Sequence, residues 1–193
     1  MVHKKPAKPI GWIWLFLFPT IILYGIYTIY PTIATVWYSL LNWTGFSRRG
    51  VFVGLDNYSE LFSDPLFWNS LKNTFLFLLY AVPGRFILSL LLALLVTAKW
   101  CPAQSFFRTI IFIPVVTTAA IIGTIMTMIF DPSNGPINLL LTKLGVVQGN
   151  IFFLGNATTA LGTSAVIWIW KWTGTSLIYW LASLQSIPYE LYE

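Results

Sequence analysis

Long apolar stretches separated by short polar segments dominate the chain. Two stretches carry no charged residue, and two more carry one each: 9–47, 109–130, 73–98 with Arg85, and 144–189 with Lys171. One helical crossing of a bilayer core takes about 20 apolar residues. The pattern therefore predicts an all-α membrane protein, a polytopic helical bundle with four transmembrane helices.

The predicted spans cover residues 10–41, 73–98, 105–130 and 158–184. Pro19 and Pro31 lie inside the first span, and Pro114 lies inside the third. Membrane helices tolerate proline where neighbouring groups satisfy the freed backbone, so we expect a kink or a helix end near Pro31. Between the third and fourth spans, Gly, Asn and Pro residues predict turns around INLLLTKLG, which reads as a short interfacial helix.

The composition agrees with a lipid environment. The chain is 57% hydrophobic and 9% charged, against roughly 45–50% and 25% in ordinary globular chains. So few charges do not cover the surface of a soluble domain of 193 residues. The net charge of +5 comes from scattered basic residues that mostly flank the spans, so nucleic acid is not an expected partner.

The basic residues also indicate an orientation. Cytoplasmic flanks of membrane proteins are enriched in Lys and Arg. Five basic residues fall in the tail 1–9 and around the connection between spans two and three: Lys4, Lys5, Lys8, Lys99 and Arg108. Four fall on the other side, in longer loops that also hold acidic residues: Arg48, Arg49, Lys72 and Lys143. The bias predicts a cytoplasmic N-terminus, an extracytoplasmic loop 42–72, and a cytoplasmic segment after the fourth span.

Catalytic and metal chemistry find little support in the residue types. The single histidine, His3, lies in the tail, so no internal histidine is available as the base of a serine triad. The single cysteine, Cys101, excludes an internal disulfide and a Cys-based metal cluster. Neither a P-loop nor a GxGxxG motif is present. We therefore expect no catalytic residues, no metal and no cofactor.

Two charges interrupt the apolar stretches at membrane depth. Arg85 lies near the middle of the second span, and Lys171 lies in WIWKWTG of the fourth, before Gly174, which weakens a helix. Ionisable residues within a membrane are costly and mark a functional path by default. The alternative is that each side chain reaches an interface or packs against a partner helix. Arg85 and Lys171 are thus candidates for a translocation path.

Four strings resemble one known family in order and position: NWTGF (42–46), FVGLDNYSELFSDPLFWNSLKNTFLF (52–77), SFFRTIIFIPVV (105–116) and WKWTGTSLIYWLASLQSIPYELYE (170–193). Together they resemble the sugar-type permeases of ABC importers, the group of the maltose and glycerol-phosphate permeases. The similarity covers essentially the whole chain. It implies a type I importer permease that has four of the family's usual six spans, with residues 73–193 forming a truncated ABC transmembrane type-1 domain.

The resemblance also implies partners. Such permeases pair with a second permease in the bacterial cytoplasmic membrane, dock on two cytoplasmic ATPases and receive solute from an extracytoplasmic binding protein. ATP hydrolysis is then expected on the partner subunits and not on this chain. The solute that the resemblance implies is a sugar or a related compound.

The acidic segment LQSIPYELYE, residues 184–193, is the part of the chain for which the resemblance implies the most specific function. In the family this string opens the cytoplasmic loop that contacts the ATPases, and Glu193 matches the first residue of its EAA motif. Proline suits the first turn of a helix, and acidic residues near that turn are stabilised by the helix dipole. The residues that the resemblance assigns to ATPase coupling are Ile187, Pro188, Glu190, Leu191, Tyr192 and Glu193.

Two other interpretations remain at this point. A four-span membrane scaffold or assembly protein without a transport path explains the spans equally well. An intramembrane enzyme is less favoured, since the spans contain neither a histidine nor a pair of acids. Recovery of an ATPase and a second permease from native membranes distinguishes the importer from the scaffold.

Overall fold

A computed structural model describes residues 10–46, 50–98 and 100–186 of the chain. The predicted basic tail 1–9 lies outside these residues. The chain divides into two compact units, residues 1–68 and 69–193.

The first unit begins with one long apolar helical segment. Helix α1 (Ile10–Tyr24), a π-helical turn (Gly25–Ile29) and helix α2 (Tyr30–Tyr38) follow one another without a break. Within this segment Gly11–Tyr38 is long and apolar enough to cross a membrane. The expected distortion near Pro31 is the π turn, in which the Tyr30 N–H donates to the Gly25 carbonyl five residues back. Because Pro31 has no N–H, such local rearrangement of the ladder is a common response in helices.

A small hairpin and a short helix follow the first helical segment. Strands β1 (Leu41–Asn42) and β2 (Val51–Phe52) pair antiparallel, and helix α3 covers Asp56–Ser63. The Asn57 side chain donates to the carbonyls of Ser39 and Leu41 at 2.8 and 3.0 Å. Asn57 thus ties helix α3 to the start of the hairpin, so the predicted loop 42–72 contains folded elements in its described residues.

The second predicted span, 73–98, corresponds to helix α4 (Pro65–Thr97), which begins eight residues earlier and ends one residue earlier. Helix α4 is the second helix that is long and apolar enough to cross a membrane. Helix α5 (Gln104–Val116) and helix α6 (Ala119–Ile129) occupy the third predicted span, 105–130, and meet at an angle of 101°. The third span is therefore not one continuous helix.

The break between α5 and α6 has a local cause. Thr117 and Thr118 have extended backbone conformations, with ψ of 137° and 150°. They end a run of four β-branched residues that begins at Val115, and such residues lower helix propensity. The Thr118 hydroxyl caps α6 by accepting a hydrogen bond from the Ile121 N–H. Pro114 lies inside α5, three residues before the break.

Helix α8 (Ala160–Gln185) matches the fourth predicted span, 158–184, and has 26 residues. It is long enough to cross a membrane but is not among the helices that are apolar enough by composition. Its buried polar residues explain this, since Thr163, Thr173 and Ser176 face the protein interior. The predicted count of four spans is not confirmed and stays a prediction.

Helices α4 and α8 run parallel and in register. Three side-chain pairs join them at the same sequence offset of 91: Phe77–Trp168, Arg85–Ser176 and Ser89–Trp180. A constant offset over 12 residues, about 18 Å of helix, requires the two axes to point the same way. The interior of this unit lies at the same seam, where Ala93, Leu177 and Leu181 form its buried apolar cluster.

Successive parts of α5 and α6 contact α8 in the reverse of its chain direction. Arg108, near the start of α5, and Gln185, at the end of α8, line the same groove. Thr117, just after α5, contacts Lys171 near the middle of α8. Phe130, at the end of α6, lies in a pocket with Val166 near the start of α8. The α5–α6 pair thus follows α8 from its last turn back toward its first.

The connection from α6 to α8 is held by one buried asparagine. Helix α7 (Pro136–Lys143) is the short helix expected at INLLLTKLG. Its Asn138 is 2% exposed and donates to the carbonyls of Asp131 and Ile151 at 3.1 and 3.0 Å. The Asn138 carbonyl oxygen accepts the Ile151 N–H at 3.0 Å. One side chain therefore joins the start of this connection to its later part around Ile151.

We expect Asn138→Ala to lower the free energy of unfolding by about 2 kcal/mol, because it leaves buried backbone groups without partners. Asn134→Ala is the matched control, since Asn134 is exposed and the hydrogen bond it makes to Asp131 uses its backbone N–H. Thermal unfolding of both variants in detergent measures the difference. Equal midpoints would show that Asn138 does not fix the connection.

Candidate functional site

The charged residue within α4 is held between α4 and α8. The Arg85 Nε donates to the Ser176 hydroxyl at 2.6 Å, and Ser176 is 1% exposed. The guanidinium lies over the rings of Phe86 and Trp168, at 5.6 and 5.4 Å from their centroids. Aromatic faces and a hydroxyl thus stabilise the cation without an acidic partner among the described residues, where no ion pair involves it.

A second polar pair continues this seam one helical turn further. The Trp180 Nε1 donates to the Ser89 hydroxyl at 3.1 Å, and Ser89 in turn donates to the Phe86 carbonyl at 3.0 Å. Ser89 is completely buried. Small residues let membrane helices approach closely, and hydroxyls at such contacts hydrogen-bond across them. The seam therefore combines close packing with two polar links.

Lys171 lies at a different place, beside the break between α5 and α6. Its Nζ donates to the Thr117 carbonyl at 3.3 Å and lies 5.6 Å from the Trp172 ring centroid. The last carbonyls of a helix have no intrahelical partner and carry partial negative charge. Lys171 therefore stabilises the end of α5 where the helix breaks. In the described residues, Arg85 and Lys171 share no hydrogen-bond partner.

Gly174 allows α5 and α8 to touch through their backbones. A Cβ at this position would lie 2.6 Å from the Ile111 carbonyl oxygen and 3.0 Å from the Phe112 Cα. A residue that the sequence marks only as a weak helix former thus lies where the backbones of these two helices come close together.

Sequence reasoning missed several of these residues. Ser89, Ser176 and Asn138 read as ordinary polar positions, although each is at most 2% exposed. The sequence does carry a signal for the face of α4 that packs on α8. Small or polar residues recur there every four residues, at Ala81, Arg85, Ser89 and Ala93. The predicted coupling residues lie outside the described residues, as α8 ends at Gln185 and the structure describes Ser186 as its cap.

No group of His, Cys, Asp or Glu in the described part of the chain is arranged to hold a metal ion. The arrangement provides two cations at separate positions on a packed α4–α5–α8 cluster and a broken helix beside one of them.

No protein-family model matches the chain. A probable ABC transporter permease protein of Pyrococcus horikoshii is 36% identical over the whole chain and 65% of its own length. The chain is a homologue of ABC transporter permeases. A second relative, the lactose transport system permease protein of Rhizobium radiobacter, is 31% identical to the present chain. The match covers 93% of the present chain and 59% of that relative.

A solved structure shares the fold. A chain of a bacterial ABC transporter involved in the import of the acidic polysaccharide alginate superposes with a TM-score of 0.77 at 24% identity. The superposition covers 94% of the present chain and 60% of the alginate transporter chain. The present chain therefore spans less than two thirds of the length of these relatives. The predicted resemblance to sugar-type ABC importer permeases is confirmed, and the homology indicates an integral membrane protein with helical spans.

The Arg85–Ser176 hydrogen bond is testable by a double-mutant cycle with Arg85→Gln and Ser176→Ala. We expect a coupling energy of about 1 kcal/mol in the free energy of unfolding, as for polar contacts between membrane helices. Thr175→Val is the control, because the Thr175 hydroxyl is buried without a partner among the described residues, so its loss leaves stability unchanged or raises it. Strict additivity of the two single variants would argue against the bond.

Proposed function

We propose that this chain is a permease subunit of an ATP-driven, binding-protein-dependent importer that moves a sugar or a related solute across the cytoplasmic membrane. The proposal rests mainly on the similarity to transport permeases along the whole chain. These relatives include a lactose permease whose alignment covers 93% of the chain. The fold shared with an alginate importer supports the same function.

The proposed partners follow from this function. A second permease subunit completes the membrane path, two ATP-binding cassette subunits hydrolyse ATP, and an extracytoplasmic solute-binding protein delivers the solute. A solved alginate transporter of the same fold is in complex with a pentasaccharide-bound periplasmic protein, which supports the last of these partners. This chain itself is not proposed to hydrolyse ATP.

The proposed topology has four spans and a cytoplasmic N-terminus. Since α8 runs parallel to α4, the chain has to return across the bilayer between Thr97 and Ala160. Successive contacts of α5 and α6 lie progressively nearer the first turn of α8, which supports a broken crossing over a re-entrant loop. Residues 42–72 then lie outside the cell, and the segment from 185 onward lies in the cytoplasm.

We assign two roles along this topology. The cytoplasmic segment 185–193, with Ile187, Pro188, Glu190, Leu191, Tyr192 and Glu193, opens the loop that contacts the ATPase. Arg85 and Lys171 border the translocation path. The support for the second role is that both cations lie inside helical spans and are held by a hydroxyl, a carbonyl and aromatic rings.

Composition of the native complex tests this function against a scaffold. The full-length gene product carries an affinity tag, is extracted from native membranes, and its partners are identified by mass spectrometry. The proposal expects a second permease and an ATP-binding cassette protein in fixed ratio to the tagged chain. Recovery of the chain as a homo-oligomer alone would favour the scaffold.

A further inference from the structure

An apolar groove of about 540 Å³ runs between α5 and α8. Its walls are mainly hydrophobic side chains: Ile113, Val116 and Ile178 are exposed, whereas Leu177 and Leu181 are buried at its floor. One charged residue lines it, Arg108, near the start of α5. The groove shares Leu177 and Leu181 with the α4–α8 seam, but Arg85 and Lys171 do not line it.

Arg108 lacks a protein partner in the described part of the chain. Its Nε atom is buried and makes no hydrogen bond, and neither an ion pair nor a hydrogen bond connects its guanidinium to a described residue. A buried donor without an acceptor costs about 1–3 kcal/mol. A phosphate diester satisfies such a guanidinium with two parallel N–H···O bonds.

The position of Arg108 defines the shape of the ligand. Arg108 is the fifth residue of α5, and Gln185 at the same end of the groove is the last residue of α8. From Arg108 the groove extends to Val116, about 12 Å along the helix and nearly the depth of one leaflet of the bilayer core. A polar end at the helix termini and an apolar body toward mid-span match a headgroup and an acyl chain.

We propose that the α5–α8 groove binds an anionic phospholipid, with its phosphate on Arg108 and one acyl chain along the apolar walls. Free phosphate satisfies the guanidinium but leaves the walls without a partner. A helix of another protein covers the walls but leaves the guanidinium without a counter-charge unless it brings an acid. The lipid satisfies both and is present in any bacterial membrane. This proposal does not depend on transport activity.

The test uses the full-length gene product in vesicles of equal parts phosphatidylcholine and phosphatidylglycerol. Lipids retained after mild detergent extraction are counted by native mass spectrometry. We expect retained phosphatidylglycerol to exceed phosphatidylcholine about fivefold, the ratio that one basic residue gives at an anionic surface. Arg108→Gln lowers the ratio to about one, whereas Lys143→Gln, which removes a cation from the last turn of α7, leaves it near the wild-type value.

Two further arms separate the lipid from other occupants. Ile113→Trp fills the groove and lowers phosphatidylglycerol retention with Arg108 intact. Excess inorganic phosphate leaves retention unchanged, because it provides no acyl chain. Displacement by phosphate would identify a simple anion site and overturn the proposal. A wild-type ratio that persists in Arg108→Gln, or absence of retained lipid in the intact complex because a protein helix fills the groove, would overturn it as well.

Discussion

Replacing Glu193 with lysine is expected to abolish solute uptake by the assembled importer while the chain still inserts into the membrane. The function proposed above assigns Glu193 to the contact with the ATPase. Reversing a charge at a protein interface places like charges together and costs several kcal/mol, and each 1.4 kcal/mol is a factor of ten. We therefore expect uptake in proteoliposomes to fall at least about tenfold.

The variant also separates coupling from folding. ATP hydrolysis by the partner subunits should lose its stimulation by the loaded binding protein, and the abundance of the chain in membranes should not change. Glu60→Lys provides a control charge reversal in helix α3, far from the proposed coupling segment in sequence. Wild-type uptake by Glu193→Lys would remove the coupling role from this residue.

Replacing Gly174 with leucine is expected to force α5 and α8 apart. A Cβ at position 174 would lie 2.6 Å from the Ile111 carbonyl oxygen. Because this oxygen belongs to the backbone, the clash is not relieved by rotation of a side chain, and the helices have to separate. Overpacking of this kind costs about 1–3 kcal/mol, and a leucine at a backbone contact lies at or above the upper end. We expect a large drop in the unfolding midpoint in detergent and loss of uptake.

Gly162→Ala is the matched control on the same helix. No atom lies within 4 Å of a Cβ built at Gly162, so alanine should leave stability unchanged or raise it by up to about 1 kcal/mol through its higher helix propensity. An unchanged midpoint in Gly174→Leu would mean that the two helices do not approach as closely as described.

The sequence predicts the helices of this protein well because lipid imposes simple rules. The long apolar stretches locate α1 with α2, and also α4 despite Arg85, since apolar length largely decides whether a segment spans. The buried face of α8 is harder to predict from its pattern of polar and apolar residues. This helix buries the polar Thr173 and Ser176 against protein and exposes the larger Ile178 and Tyr179. Its polarity makes sense only once its neighbours are known.

The break after α5 and the contacts of the two cations were not predictable in the same way. Pro114 suggests a distortion, yet the chain bends at Thr117 and Thr118, where the hydroxyl cap and the Lys171 side chain stabilise the new helix ends. Lys171 is 54 residues from its carbonyl partner, and Arg85 is 91 from Ser176. Such pairs depend on which helices pack together, and composition and local pattern carry no information on that.

Transport itself tests the central claim most directly. The purified complex containing the full-length gene product is reconstituted into proteoliposomes, and the accumulation of a labelled sugar retained by the cognate binding protein is measured. The account predicts accumulation that requires ATP on the ATPase side, the binding protein on the other side, and this chain in the complex. Accumulation that proceeds equally well in a complex without the chain would contradict it.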